Sequence, residues 1–163
     1  MASDTLTTLA TLAGARLKAQ GLKLVTAESC TGGWVAQAVT SVSGSSEWFD
    51  SGFVTYSNDA KREMLGVRAE TLAVHGAVSE ITAREMAAGA LDRGAAGVAL
   101  AVTGIAGPTG GSPEKPVGMV CFAWALRGGA VASETRRFEG DREAIRRQSV
   151  VRSLQGLLER LEG

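Results

Sequence analysis

Residues 22–39 read Leu-Lys-Leu-Val-Thr-Ala-Glu-Ser-Cys-Thr-Gly-Gly-Trp-Val-Ala-Gln-Ala-Val. The bounded apolar run from Leu22 to Ala27 has the length of a buried strand, Glu28 to Gly33 is an abrupt small-residue turn, and Trp34 to Val39 is a helical stretch. Strand, tight turn and helix in succession open a sheet covered by helices. In such folds ligands gather at the carboxyl ends of parallel strands, where helix amino termini point outward. Ser29 stands in that turn.

Upstream, Leu6, Leu9, Ala10, Ala13 and Leu17 recur at helical spacing. Ser3 or Asp4 is the expected cap and Gly21 the stop. Downstream, Ser41 to Ser46 reads as a loop and Trp48 to Tyr56 as a second strand, rich in aromatic and β-branched residues. Asn58 or Asp59 is expected to cap a short helix carrying Lys61. A longer helix is predicted from Ser79 or Thr82 to just before Gly94, with Glu85 closing a capping box and Ala83, Met86, Ala87, Ala90 and Leu91 facing inward.

Val98 to Val102 is a continuous apolar strand. After it, Thr103 to Gly118 holds five glycines and all three prolines of the chain, which neither a helix nor an inner strand tolerates. Such a long loop is either functional or disordered. Val117 to Leu126 and Val131 to Phe138 flank Arg127-Gly128-Gly129-Ala130, a hairpin signal. Asp141 is expected to cap a last helix with Val150, Leu154, Leu157, Leu158 and Leu161 buried and Arg142, Arg146, Arg152 and Arg160 toward water. Without repeat or linker, residues 1–163 read as one α/β domain. It is a three-layer α/β/α sandwich around a mixed, mostly parallel sheet of about five strands, with one antiparallel pair.

Composition narrows the function. Lys plus Arg and Asp plus Glu both total 17, so no overall positive field gathers nucleic acid or anionic lipid. The amino terminus lacks a secretory signal, and no run reaches the roughly 18 to 20 apolar residues of a membrane span, so a cytoplasmic location is expected. Cys30 and Cys121 read as reduced thiols. With His75 as the single histidine, the chain offers too few soft ligands for a usual zinc site. His75, beside a glycine in Ala-Val-His-Gly-Ala, reads as a turn residue, which leaves a Ser-His-Asp triad without a base.

Ser29 is open to two readings, a helix cap or a rigidly presented nucleophile backed by the N–H groups of Cys30, Thr31, Gly32 and Gly33. Cys30 is a rival nucleophile, its thiol acidified near a helix amino terminus, or a packing residue. In place of histidine, a lysine whose pKa is lowered by burial would serve as base. Lys61 follows the second strand closely enough to reach the same sheet edge, or else it is a solvated lysine beside Arg62. Tyr56 could relay a proton or hold that lysine neutral. Thr103, Gly104 and Gly107 belong to a loop whose backbone can approach a ligand closely, although it is neither a Walker A loop nor a dinucleotide fingerprint. Arg142 is either a charge for a substrate phosphate or a surface arginine.

Five stretches carry a resemblance: Ala27 to Gly33, Ser51 to Lys61, Gly76 to Glu80, Thr103 to Pro108, and Lys115 to Gly118. In that order they resemble the carboxy-terminal domain of the CinA family, whose stand-alone members include bacterial nicotinamide-nucleotide amidohydrolases. The resemblance implies hydrolysis of nicotinamide mononucleotide to nicotinate mononucleotide and ammonia without a cofactor, in pyridine nucleotide salvage. It implies Ser29 as nucleophile, Lys61 as the assisting lysine, Tyr56 beside them and Thr103 at the pocket. The two-domain members' pyrophosphatase-type activity has no counterpart in these residues. The CinA name also leaves open a non-catalytic nucleotide-binding module in competence or DNA-damage response. The expected partner is the small-molecule substrate, and an exposed hairpin edge would suit a homodimer.

Overall fold

The computed structural model describes residues 2–162. In chain order the elements are α1 (Ala2–Gln20), β1 (Leu24–Glu28), α2 (Trp34–Thr40), β2 (Phe49–Val54), α3 (Asn58–Leu65), α4 (Ala69–His75), α5 (Glu80–Asp92), β3 (Val98–Gly104), β4 (Met119–Leu126), β5 (Val131–Arg137) and α6 (Arg142–Leu161). The five strands lie in the order β2-β1-β3-β4-β5. β1 runs parallel to both β2 and β3, whereas β3–β4 and β4–β5 are antiparallel. Two antiparallel pairings thus replace the single one expected, because the 105–118 loop brings β4 back directly against β3.

The two faces of the sheet differ in side-chain size, and this sets how closely each helix layer approaches. One face presents Leu24, Val98, Leu100, Val102, Phe122 and Trp124 to α1, α2 and α6. The other presents Ala27, Ala99, Ala101, Cys121, Ala123 and Ala125 to α5, which answers with Ala83, Met86, Ala87 and Ala90. Alternation along each strand produces both faces from one sequence. The inner residues expected for α5 are all buried, and Trp124 anchors the opposite layer by donating its indole N–H to the Ser153 carbonyl.

Several boundaries differ from expectation. The backbone is already helical at Ala2, so Ser3 and Asp4 lie within α1 instead of preceding it. Ser57, not Asn58 or Asp59, caps α3 by accepting from the Ala60 amide. Ser79 caps α5 through the Thr82 amide, but Glu85 closes no capping box. Its carboxylate reaches the Arg68 amide and the Thr71 hydroxyl, tethering α4, a helix the sequence pattern did not reveal. His75 is the last residue of that helix, where a turn was expected.

Arg152, expected toward water, is buried; it stacks over Trp124 and forms ion pairs with Glu134 and Glu159. Arg146 is half-buried, and Leu158 is only partly buried.

Close approach matters most where α5 crosses the end of α3, the helix that carries Lys61. A Cβ on Gly89 would overlap the Leu65 carbonyl oxygen, which is backbone and cannot swing aside. Gly89→Ala is expected to destabilise the fold by about 2 kcal/mol or more in urea unfolding, as overpacking against a fixed group does. An unchanged unfolding midpoint would show that α3 and α5 separate freely.

Candidate active site

The parallel strands β1, β2 and β3 deliver their carboxyl ends to one edge of the sheet, and the candidate residues collect there. Ser29 directly follows β1, its amide still extending the ladder by donating to the Val102 carbonyl. Thr55 to Lys61 follow β2, and Thr103 and Gly104 end β3. Between them lies a cleft of about 180 Å³, lined by Ser29, Cys30, Tyr56, Lys61, Ala77, Val78, Thr103, Gly104, Ala106 and Arg142. Pockets that enclose a whole drug-sized ligand run to about 300 Å³ or more, so this one suits part of a molecule with the remainder outside.

At the floor, the Lys61 amine lies 3.0 Å from the Ser29 hydroxyl oxygen. It also donates to the Thr55 carbonyl at 2.9 Å and the Tyr56 carbonyl at 3.4 Å. The lysine is 1% exposed, and none of its partners is a carboxylate. Burial therefore pulls its pKa below the ordinary 10.5. The two carbonyls can only accept. A neutral amine would give them its two N–H bonds and keep its lone pair for the Ser29 O–H.

The turn holding Ser29 is fixed from inside by Glu28, a fully buried carboxylate that the sequence reading passed over. Glu28 accepts from the Thr31 hydroxyl at 2.6 Å, and from the amides of Gly33 at 3.1 Å, Val35 at 2.9 Å and Ala36 at 3.0 Å. It thus satisfies the free N–H groups that begin α2, an internal substitute for the usual N-cap. The acidic residue directly before the serine in Ala27-Glu28-Ser29 was the available sign. Because side chains alternate along a strand, Glu28 turns to the α2 layer while Ser29, one residue on, turns toward α3.

The other candidates are placed as follows. Thr31 is buried with its hydroxyl on Glu28 and does not line the cleft; the Gly33 amide is also engaged by Glu28. Gly32 and Gly33 adopt φ of 61° and 102°, left-handed values that let the chain reverse into α2. Cys30 lines the cleft, but its thiol is buried and burial pushes its pKa up to about 12, which favours the reading as a packing residue over that of an acidified nucleophile. The Thr103 hydroxyl donates to the Ala77 carbonyl, pinning β3 to the segment before α5. Arg142 donates to the Gly107 carbonyl at 2.8 Å and to the Tyr56 hydroxyl at 3.0 Å, bridging the cleft mouth. The Tyr56 phenol, 61% exposed, is therefore turned to Arg142, and only its carbonyl meets Lys61. Among the described residues no three His, Cys, Asp or Glu side chains gather as a metal site, and no helix is long and apolar enough to cross a membrane.

Fold and cleft together define an α/β sandwich protein with a cleft at the carboxyl edge of its parallel strands, lined by a serine and a buried lysine. The chain belongs to the CinA C-terminal domain family, whose model matches residues 6–161. It is 54% identical to the nicotinamide-nucleotide amidohydrolase PncC of Escherichia coli strain K12, across 96% of this chain and 95% of that protein. To the protein of the same name from Pseudomonas putida it is 51% identical, across 96% of this chain and 97% of the other. Among solved structures, the competence/damage inducible protein CihA from Agrobacterium tumefaciens superposes with a TM-score of 0.94 at 49% identity, covering 98% of this chain and 96% of that one.

The lowered Lys61 pKa has a measurable consequence. Above 10.5 the amine is neutral in both folded and unfolded chains; as pH falls from there toward the native value, only the unfolded chain gains the proton, which favours unfolding. Lys61→Met removes that term. The melting temperature of Lys61→Met relative to wild type is expected to rise as pH is lowered from 10.5 toward the native pKa of Lys61, and a pH-independent difference would mean that the buried amine keeps its proton.

Proposed function

We propose that the protein hydrolyses the carboxamide of nicotinamide mononucleotide, giving nicotinate mononucleotide and ammonia. The observation that carries this reading is the 3.0 Å contact between the Ser29 hydroxyl and a buried Lys61 amine with no carboxylate beside it. The amidohydrolase names of relatives at 51% and 54% identity support the substrate.

In the proposed reaction, neutral Lys61 takes the Ser29 proton as the hydroxyl oxygen attacks the carboxamide carbon. A tetrahedral oxyanion forms and collapses. The carbon–nitrogen bond breaks, Lys61 returns the proton to the departing nitrogen, and ammonia leaves. Water, deprotonated by the same amine, then releases the acid from Ser29. The carbonyls of Thr55 and Tyr56 aim the lysine lone pair at Ser29 throughout.

The cationic pyridine ring makes the amide carbon more electrophilic, and the ring end of the substrate fits the small cleft. The phosphate would then reach the mouth, where Arg142 is the cation at hand and Tyr56 its present partner. Thr103 and Gly104 line the cleft, whereas Gly107 lies outside its lining and meets Arg142 through its carbonyl. Cys30 is a poor nucleophile in this setting, because a thiol pushed up to about 12 is almost entirely protonated at neutral pH. A product of this kind feeds the salvage of pyridine nucleotides.

Ammonia release from nicotinamide mononucleotide by the purified protein tests the proposal; calorimetric binding without ammonia would overturn it in favour of a binding module. Ser29→Ala and Lys61→Arg should each lower turnover by about 10³-fold or more, the arginine failing because it stays protonated. Cys30→Ala should retain most activity. Arg142→Ala should raise KM for the nucleotide more than it lowers kcat, and an unchanged KM would take Arg142 out of phosphate binding.

A further inference from the structure

We propose that Arg146 is a positioning residue for this reaction, clamping the Cys30 and Thr31 carbonyls and so fixing the turn whose Cys30 N–H, the first amide after Ser29, faces the developing oxyanion. The proposal rests on the reading of Ser29 as the nucleophile and adds the question of what stabilises the negative charge its attack creates.

Most of the donors around the Ser29 turn are already engaged. The amides of Gly33, Val35 and Ala36 go to Glu28. The Gly32 amide donates to the Ser29 carbonyl and the Trp34 amide to the Thr31 carbonyl. The amino terminus of α2 is therefore closed to a substrate anion, although it is the usual place to look for an anion site. Among the described residues, the Cys30 and Thr31 amides donate to no other residue. They are the first two amides after the proposed nucleophile, and in strand–turn–helix hydrolases the first such amide is an oxyanion donor.

What aims these two groups is the grip on their carbonyl sides. A trans peptide is planar, with its N–H pointing opposite to its C=O. The Ser29–Cys30 peptide is held by the Gly32 amide on the Ser29 oxygen. The Cys30–Thr31 peptide is held by Arg146, whose Nε donates to the Cys30 carbonyl at 3.2 Å while Nη2 donates to the Thr31 carbonyl at 3.0 Å. Arg146 thereby fixes the turn on the carboxyl side of Cys30, while the Gly32 amide fixes the peptide that carries the Cys30 N–H. The guanidinium itself lies over the Trp34 ring, 5.4 Å from its centre, so the clamp spans α6, the turn and α2. Arg146 does not line the cleft, so it acts through the backbone without touching substrate.

The test compares nicotinamide mononucleotide with its thioamide analogue, in which sulfur replaces the carbonyl oxygen and accepts hydrogen bonds weakly. Wild type should prefer the oxygen substrate. Arg146→Ala should lower kcat on that substrate by roughly 10- to 100-fold, within what an oxyanion donor contributes, with KM changed by less than about twofold. The oxygen-to-sulfur rate ratio should shrink by a similar factor, which a general loosening of the fold would not produce. Arg146→Lys, which can hold one carbonyl but not both, should fall between and guards against a variant that fails to fold. Equal losses on both substrates, or none, would overturn the assignment of Arg146 alone. A wild type that releases no ammonia from nicotinamide mononucleotide would instead overturn the hydrolase reading, and this inference with it.

Discussion

A carboxylate sealed inside the protein governs the geometry of the site. Glu28 gathers four donors from its own chain, one hydroxyl and three amides, all within eight residues of itself. A buried charge left unpartnered is strongly unfavourable, so the turn must adopt the conformation that supplies those donors. That conformation needs two consecutive left-handed residues, which Gly32 and Gly33 provide. With β1 and α2 joined in this way, the position of Ser29 at the sheet edge follows from strand alternation.

Lys61 presents the converse situation. It is buried as fully as Glu28 yet has no opposite charge, only two carbonyls and the Ser29 hydroxyl. An ammonium in that setting loses its hydration with little in return, so burial pulls the Lys61 pKa below the ordinary 10.5. The fold tolerates the arrangement because α3 is anchored at both ends. Ser57 caps its start, and its final carbonyl abuts Gly89 of α5. Small residues on that face of the sheet allow the close packing. The asymmetry between an alanine-rich face and a face of Leu, Val, Phe and Trp is thus part of how the proposed site is built, since a bulkier α5 face would hold α3 away from Ser29.

Much of this was legible in advance, and the exceptions share a cause. The strand–turn–helix unit, the hairpin around Gly128 and Gly129, and the Asp141 cap were readable because each depends on residues within a few positions of one another. Misreadings arose where a side chain has a distant partner. Glu85 looked like a capping-box residue by spacing, but Thr71 and Arg68 claim it from another helix. Arg152 looked solvent-facing by helical periodicity, yet Glu134 on β5 and Trp124 on β4 draw it inward. Tyr56 was expected to address Lys61 with its hydroxyl and addresses Arg142, 86 residues away.

By itself the sequence determined which segments form strands and helices, the turn that carries Ser29, and a short set of candidates that included Lys61, Thr103 and Arg142. Hydrophobic period, glycine placement and capping chemistry act over a few residues, so they leave their mark in the local order. Only the tertiary structure decided which candidates meet. Ser29 and Lys61 are 32 positions apart, and Arg146 reaches Cys30 across 116. Strand order and helix packing set those distances, and the depth of burial that lowers the Lys61 pKa and raises that of Cys30 exists only once both layers have closed over the sheet.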